Sequence, residues 1–172
     1  MSPQITIVTG SKGGVGTSTV ALNLGVQLAM QTKKRVVLID LARPFGQIAM
    51  MLDLEPRFTV LDALERIGRL DSALLASLAM RHKVGIEVLA GPLHAPMSAE
   101  QRQSVTLQSL TRLIAIAARA YDFAIVDIGV VNAAEWAPVL GDARTILLVA
   151  EPSLLALGMR QRLSRAAYLI SG

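Results

Sequence analysis

The sequence predicts an α/β fold, a doubly wound and mostly parallel sheet with helices on both faces. Short apolar runs rich in β-branched residues alternate with longer segments of helical periodicity, a pattern typical of strand–helix units in a parallel sheet. The first apolar run leads into a glycine-rich turn and then a helical pattern. No internal repeat or linker interrupts this alternation, and 172 residues suit one domain. We therefore predict a single domain over 1–172.

The predicted elements follow one another along the whole chain. We expect strands at 4–9, 35–40, 85–90, 122–127 and 145–150. We expect helices at 17–31, 46–53, 59–67, 71–82, 99–120, 133–140 and 153–170. Lys33 and Lys34 end the first helix with charges that suit a helix C-terminus. Ser98 and Gln101 have the spacing of a capping box at the start of the long helix.

Composition excludes several classes of protein. The 52% of hydrophobic residues is spread over short segments, none of which approaches the roughly 20 residues of a membrane-spanning helix. The chain has no cysteine, which excludes disulfides and thiolate metal sites and favours a cytoplasmic location. Only 3% of the residues are aromatic, so a base-stacking surface for single-stranded nucleic acid is disfavoured. The net charge of +4 is a mild bias toward acidic partners.

The segment SKGGVGTST, residues 11–19, predicts a phosphate-binding loop. It lies between a predicted strand and a predicted helix, which is the context such a loop requires. Its glycines let the backbone N–H groups approach an anion, and the first turn of the helix adds unpaired donors and a positive dipole end. Thr17 stands where such loops normally carry a lysine. The sequence thus predicts a nucleotide cradle with one positive charge removed.

Four ordered motifs resemble those of the ParA/MinD family of deviant Walker A ATPases. They are KGGVG at 12–16 with the following ST at 18–19, RVVLID at 35–40, YDFAIVD at 121–127, and TILLV at 145–149 with EPSLLAL at 151–157. The resemblance covers nearly the whole chain and implies a P-loop NTPase fold, ATP and Mg²⁺ as cofactors, and a homodimer. Members of the family usually continue with further strands, so the resemblance implies a domain that is truncated or reduced at its C-terminus.

Within the family, two details resemble the CpaE/TadZ branch of pilus-assembly proteins. One is Thr17 in place of the Walker lysine, and the other is PFGQIA at 44–49, followed by LDLEPR at 52–57 and TVLD at 59–62. This resemblance implies partners among pilus or secretion machinery proteins. It also implies a polar or membrane-peripheral position in the cell.

The family resemblance assigns roles to individual residues. Lys12 resembles the signature lysine, which reaches the nucleotide phosphates and crosses to the nucleotide of the dimer partner. Asp40 resembles the switch aspartate, and both residues are interpreted as catalytic. Ser18 would coordinate Mg²⁺ through its hydroxyl, and Asp127 resembles the Walker B carboxylate that holds the ion through water. The remaining residues of the nucleotide cradle are Gly13, Gly14, Val15, Gly16, Thr17 and Thr19, of which Thr19 would contact the α-phosphate.

The chain departs from the family pattern at three positions. Without a lysine at Thr17 the site loses a charge-assisted hydrogen bond worth about 1.5–3 kcal/mol, which predicts triphosphate binding weaker by roughly ten- to a hundredfold. Ala42 stands where the family usually has an aspartate that orients the attacking water. Residues 128–131 replace the usual proline-containing switch. Together these changes predict slow or absent ATP hydrolysis.

Three functions remain open on this evidence. The leading hypothesis is a degenerate nucleotide-binding protein that organises other proteins in space, placing pilus or secretion machinery at the cell pole. One alternative is an active ATPase for partitioning, flagellar or division-site placement, and another is a scaffold that binds no nucleotide. A membrane or nucleic-acid surface formed by Arg160, Arg162 and Arg165 is less favoured than a solvated helix face. His82 and His94 lack the spacing of metal ligands.

Overall fold

A computed structural model describes residues 4–43, 46–92 and 98–151, together with residues 158, 160 and 161. Within these ranges the strands are β1 (Gln4–Gly10), β2 (Val36–Asp40), β3 (Met80–Arg81), β4 (Ile86–Leu89), β5 (Phe123–Asp127) and β6 (Thr145–Val149). The helices are α1 (Thr17–Thr32), α2 (Ile48–Met51), α3 (Val60–Glu65), α4 (Ser72–Leu78), α5 (Ala99–Ser104), α6 (Leu107–Ala120) and α7 (Ala137–Leu140).

The six strands form one sheet in the order β3-β4-β2-β5-β1-β6. Every neighbouring pair is parallel except β3 and β4, which are antiparallel. Strand β2 lies near the middle and all five of its residues are buried, as expected for a strand covered on both faces. The predicted doubly wound and mostly parallel architecture is confirmed.

Helices cover both faces of the sheet because side chains alternate along each strand. On one face, Val8, Leu38 and Ile125 pack in a cluster with residues of α1 and α2. On the other face, Ile39 and Val126 pack with residues of α3, α4, α6 and α7. The sheet is therefore a buried layer, and polar side chains with chemical roles are left at its edges and at the ends of its strands.

The prediction of one helix over 99–120 is wrong at its middle, where the structure has the two helices α5 and α6. Thr106 has an extended backbone, and its hydroxyl accepts a hydrogen bond from the backbone N–H of Ser109 at 3.0 Å. The Ser109 hydroxyl accepts in turn from the backbone N–H of Thr106 at 2.9 Å. This capping box starts a new helix, and it was missed because Ser109 stands where such a box usually has Glu or Gln.

The prediction of a helix over 71–82 also runs too far. Helix α4 ends at Leu78, Ala79 is extended, and Met80–Arg81 pairs with β4 as a strand that the sequence did not predict. Two residues are too short to show an alternating pattern. The helices predicted at 46–53 and 133–140 are shorter in the structure, at Ile48–Met51 and Ala137–Leu140.

Some predictions concern residues that are not described. Most of the predicted helix 153–170 lies outside the described ranges, as do Arg162, Arg165 and His94. His82 is described, and its Nδ1 accepts from the N–H of Val84 at 3.4 Å inside a turn. In the described part of the chain, no helix is long and apolar enough to cross a membrane.

Candidate functional site

The predicted site residues meet at one edge of the sheet. Strands β1, β2 and β5 are parallel neighbours, and their carboxyl ends lie together. Asp40 ends β2 directly opposite Asp127, which ends β5, and Asp127 is also opposite Val8 of β1. Ligands of open α/β sheets bind beyond the carboxyl ends of the strands, so this edge is the candidate site.

The loop after β1 leads into α1 through glycines with left-handed backbones. Gly14 has a φ of 81° and Gly16 a φ of 90°, while a Cβ at either position would meet no atom within 4 Å. Glycine is therefore required by the backbone conformation rather than by crowding. Gly16 is the N-cap of α1 and provides no side-chain cap, and the first turn has no acidic residue. Its N–H groups face the loop as donors for an anion.

Backbone hydrogen bonds tie the base of this loop to two other segments. The N–H of Ser11 donates to the carbonyl of Val149 at 2.9 Å, which links the loop to the end of β6. The N–H of Gly10 and the hydroxyl of Thr9 both donate to the carbonyl of Gly129, each at 2.9 Å. The loop is thus fixed to the segment that follows Asp127, so a displacement of one segment would also displace the other.

Thr17 is buried at the base of the loop. Its hydroxyl occupies the space beside Gly10, where an added Cβ would overlap it, and a Cβ there would also lie 3.1 Å from Val15 Cγ2. Gly10 therefore makes room for Thr17. Sequence reasoning identified the lost charge at Thr17 but missed Gly10, because the contact depends on how the loop folds back.

Lys12 pairs with a residue that sequence reasoning did not assign to the site. Its Nζ lies 2.6 Å from Oε2 of Glu151, and the two side chains are 48% and 60% exposed. An exposed ion pair of this kind contributes at most about 1 kcal/mol, so it exchanges readily for another partner. The adjacency of β1 and β6 was the signal that could have identified Glu151, since an acidic residue after β6 falls beside the loop after β1.

Asp127 is fully buried and has one oxygen without a hydrogen-bond partner. Its Oδ1 accepts from the N–H of Gly129 at 3.0 Å, whereas Oδ2 has no partner among the described residues. Burial raises the pKa of Asp127, and the nearby Ser18 hydroxyl and the Gly129 N–H act in the opposite direction. A buried carboxylate oxygen without a partner is costly, and a cation bound there would remove that cost.

Asp40 is equally buried, but both of its oxygens have partners. Oδ1 accepts from the N–H of Ala42 and Oδ2 from the N–H of Ile48, each at 3.1 Å. Burial raises the pKa of Asp40 to about 6, the charge of Asp127 adds to this, and the backbone hydrogen bonds oppose it. The carboxylate holds the ends of the segment between β2 and α2 in place.

Two glycines close the space around Asp40. A Cβ at Gly46 would lie 2.7 Å from Asp40 Oδ2, and one at Gly91 would lie 2.7 Å from the Cα of Gly46. The N–H of Gly46 also donates to the carbonyl of Pro92 at 2.9 Å. This close backbone packing excludes water from Asp40, and it was not evident from the sequence because residues 46 and 91 are far apart in the chain.

Ala42 lies beside the segment that follows Asp127. A Cβ built at Gly129 would be 3.4 Å from the Cβ of Ala42, and the N–H of Leu41 donates to the carbonyl of Asp127 at 2.7 Å. The segments after β2 and β5 are therefore in contact. An apolar methyl group occupies the position where the family resemblance would place a carboxylate.

The fold brings the other predicted residues to the same edge. Gly13 and Thr19 are exposed, Val15 and Ser18 are half-buried, and the carbonyl of Thr19 accepts from the Asn23 side chain at 2.8 Å. Among the described residues there is no cluster of three or more His, Cys, Asp or Glu side chains that could hold a metal ion alone. A cation here would need oxygen ligands from Ser18, Asp127, a bound phosphate and water.

A comparison with known protein families shows which family this chain belongs to. The sequence profile of the CobQ/CobB/MinD/ParA nucleotide binding domain matches residues 6–132, more than half of the chain. The chain belongs to this family. Its resemblance to ParA/MinD proteins is thus confirmed at the family level, while the CpaE/TadZ branch stays a prediction.

Individual relatives agree with this assignment. The septum site-determining protein MinD of Synechocystis sp. is 30% identical over 155 residues, which are 89% of this chain and 55% of the relative. A ParA family ATPase from Chlorobium tepidum has a TM-score of 0.77 and 25% identity, covering 98% of this chain and 67% of that chain. MinD of Pyrococcus horikoshii, solved with Mg-ADP, has a TM-score of 0.74 and 22% identity, covering 97% and 67%. The chain spans about half the length of the curated relatives it matches.

Proposed function

We propose that this protein is a nucleotide-controlled spatial organiser that binds ATP with Mg²⁺ weakly and hydrolyses it slowly. The observation that carries the proposal is buried Asp127, whose Oδ2 has no hydrogen-bond partner in the described part of the chain and which lies near Ser18 at the N-terminus of α1. The family membership supports nucleotide as the ligand. The weakness of binding is inferred from Thr17, and the slow turnover from Thr17, Ala42 and Asp40.

The phosphates would lie on the N–H groups of the loop 11–16 and of the first turn of α1. Mg²⁺ usually binds one or two carboxylates, several waters and substrate phosphates, and when bound it would neutralise charge on the phosphates. The Ser18 hydroxyl and Asp127 Oδ2 are the groups that would hold it. Their donor chemistry fits this ion, since Oδ2 is a buried carboxylate oxygen that has no hydrogen-bond partner among the described residues.

Slow hydrolysis follows from the groups around the expected γ-phosphate. Thr17 is buried and uncharged, so it provides no positive charge to a leaving phosphate. Ala42 has no atom that could accept a proton or orient water. Asp40 could act on water only after releasing the N–H groups of Ala42 and Ile48. General base catalysis requires a free acceptor within hydrogen-bond reach of the water. Thr17, Ala42 and Asp40 offer none ready, and Oδ2 of Asp127 would be taken up by Mg²⁺.

The same contacts would make the site a switch. Lys12 would leave Glu151 for the phosphates, and in a face-to-face homodimer it would reach the nucleotide of the partner. Occupation of Asp127 by Mg²⁺ would act on Gly129, which holds the base of the loop. The contact between Ala42 and Gly129 would carry the change to the segment after β2. Nucleotide would thus control a surface that other proteins read.

Two cellular roles share this mechanism. The MinD relatives favour placement of the division site. Thr17 and the segment 44–49 favour the pilus or secretion machinery of the CpaE/TadZ branch. Either role would use the nucleotide-dependent surface described above.

A titration with a fluorescent ATP analogue, with Mg²⁺ and with EDTA, tests the proposal. We expect binding that requires Mg²⁺ and phosphate release far slower than binding. Absence of binding in both conditions would favour the nucleotide-free scaffold, and rapid phosphate release would favour an active ATPase. Sedimentation with ATP and with ADP should show that ATP promotes self-association in the wild type but not in Lys12→Ala.

A further inference from the structure

A basic cleft of about 380 Å³ lies at the amino ends of the strands, on the side of the sheet away from the carboxyl ends that carry Asp40 and Asp127. It lies where α1 ends, where β2 and β4 begin, and where the turn between β3 and β4 crosses. This end of the sheet is remote from Asp40 and Asp127, which terminate their strands at the other edge. The cations that line the cleft are Lys33, Lys34, Arg35, Arg81 and Lys83.

The positive charge of the cleft is supplied by two segments far apart in sequence. Lys33 follows the last turn of α1, while Arg81 and Lys83 belong to the hairpin of β3 and β4. The three side chains are in exposed residues and form no ion pair within the described part of the chain. Charges near a helix C-terminus are common because of the helix dipole, but that effect does not account for the cations on the hairpin.

Of the described residues that line the cleft, one is a carboxylate, Glu87, and it already has two partners. Glu87 accepts a short hydrogen bond from the Tyr121 hydroxyl and lies 3.6 Å from the guanidinium of Arg35. Arg35 also stacks over the Tyr121 ring at 4.6 Å from its centroid and donates to the carbonyl of Ala120 at 2.9 Å. Glu87 also lies directly opposite Arg81 in the β3–β4 ladder. Among the described residues, however, its ion pair is with Arg35, so it does not neutralise Lys33 or Lys83.

The hairpin turn fixes the position of Lys83. The N–H of His82 donates to the carbonyl of Ile86 at 2.9 Å, and the N–H of Gly85 donates to the carbonyl of His82 at 3.0 Å. The backbone of Lys83 is thus held in a short turn, and Lys83 and Lys33 both line the cleft. A pre-formed arrangement of cations lowers the entropic cost of binding an anionic ligand.

Apolar groups line the cleft between the cations. Ala29, Val36 and Val84 contribute to its wall, and Met30 is 53% exposed beside them. A concave site with this mixture fits a ligand that has carboxylates around an apolar side chain. A flat membrane would meet the rim of such a cleft rather than its wall, and a nucleic acid would leave the apolar wall unused.

We propose that this cleft binds an acidic peptide segment of a partner protein, with an apolar side chain of that segment against Met30 and Val84. This site is separate from the nucleotide site, so it could anchor a partner whatever the nucleotide state. Carboxylates of the peptide would pair with the side chains of Lys33, Arg81 and Lys83.

The test uses a labelled peptide of Glu and Asp residues with one central Leu, followed by fluorescence anisotropy at low ionic strength. We expect saturable binding that weakens with salt. The double variant Lys33→Asn and Lys83→Gln should weaken binding by roughly tenfold. Asn suits position 33 because Lys33 has a left-handed φ of 56°. The matched control, Arg57→Gln with Arg69→Gln, removes the same charge from exposed residues outside the cleft and should bind as the wild type does.

Two further measurements distinguish an acidic peptide with an apolar side chain from other ligands of the cleft. Met30→Gln should weaken the Leu peptide but not a version with Ser in place of Leu. The ATP analogue should bind the cleft variants and the wild type equally, so a failure of nucleotide binding would not affect this test. No saturable peptide binding, or equal loss in the control variant, would overturn the proposal. Preferential binding of an oligonucleotide or of phosphatidylglycerol vesicles, lost in the cleft variant, would also overturn it.

Discussion

Asp40 and Asp127 end neighbouring strands, lie opposite each other and are both inaccessible to solvent, yet their surroundings differ. Asp40 uses both oxygens for backbone N–H groups, whereas Asp127 uses one and leaves the other without a partner in the described structure. Two buried carboxylates at one edge of the sheet can therefore have separate tasks. One stabilises a local backbone arrangement, and the other is available to a cation.

The largest expected effect concerns Asp40 and the pH dependence of stability. Its pKa is raised from 3.8 to about 6 in the folded protein, so the folded state takes up a proton first. Stability should therefore fall as pH rises through this window, by up to about 3 kcal/mol, with the full penalty present above pH about 6. Urea unfolding of the nucleotide-free protein across this range would measure it.

Asp40→Asn is the control for that profile, because it removes the charge and keeps the size of the side chain. The difference between wild type and variant should decline steadily between the two pKa values. If the free energy of unfolding changed with pH in the same way for the wild type and Asp40→Asn, Asp40 would not be the group that takes up the proton. The proposed difference between Asp40 and Asp127 would then be wrong.

The second effect concerns Asp127 and Mg²⁺. Asp127→Asn keeps an acceptor for the N–H of Gly129 but removes the charge, so Mg²⁺-dependent affinity for the ATP analogue should fall by about 2–3 kcal/mol, roughly 30- to 150-fold. Asp40→Asn should retain the Mg²⁺ dependence, because its oxygens are directed at backbone. Equal losses in both variants, measured in the same titration, would break the distinction.

The third effect concerns the missing lysine. Thr17→Lys should raise triphosphate affinity by about tenfold, because the new ammonium group would supply a charge-assisted hydrogen bond to the phosphates. Hydrolysis should stay slow, because Ala42 still provides no acceptor. Affinity and phosphate release for Thr17→Lys, Ala42→Asp and the double variant would separate the two deficits. Rapid turnover in Thr17→Lys alone would show that Ala42 is not limiting.

The smallest effect concerns the ion pair between Lys12 and Glu151. Glu151→Gln frees Lys12 and removes a negative charge beside the phosphates, so affinity should rise by about two- to fivefold. The rise should disappear in a Lys12→Ala background if it acts through the lysine. An unchanged affinity in Glu151→Gln would mean that the pair does not compete with nucleotide.

The sequence predicted the sheet, the loop and the grouping of Lys12, Ser18, Asp40 and Asp127, because these depend on local patterns and on the parallel order of strands. It did not predict Glu151, Gly91 or the basic cleft. Those depend on contacts between segments far apart in the chain, for which a local pattern gives no signal.

The division of residues 99–120 into the two helices α5 and α6 was also missed. The prediction joined α5 and α6, although a capping box starts a second helix at Thr106. A capping box usually has Glu or Gln at its third helical position, and Ser109 at that position gave a weaker local signal. Strand β3 gave no readable signal at all, since a two-residue edge strand is defined by its partner β4.

The position of the nucleotide and metal site can be tested directly by an NMR experiment in which Mn²⁺ replaces Mg²⁺ in the presence of ATP. Mn²⁺ accepts the same oxygen ligands and broadens the signals of nearby amides. We predict selective broadening at Gly16, Ser18, Asp127 and Gly129, with the amides of the basic cleft, such as Gly85, unaffected. Broadening centred on the cleft, or none at Ser18 and Asp127, would contradict the assignment of this edge of the sheet as the nucleotide and metal site.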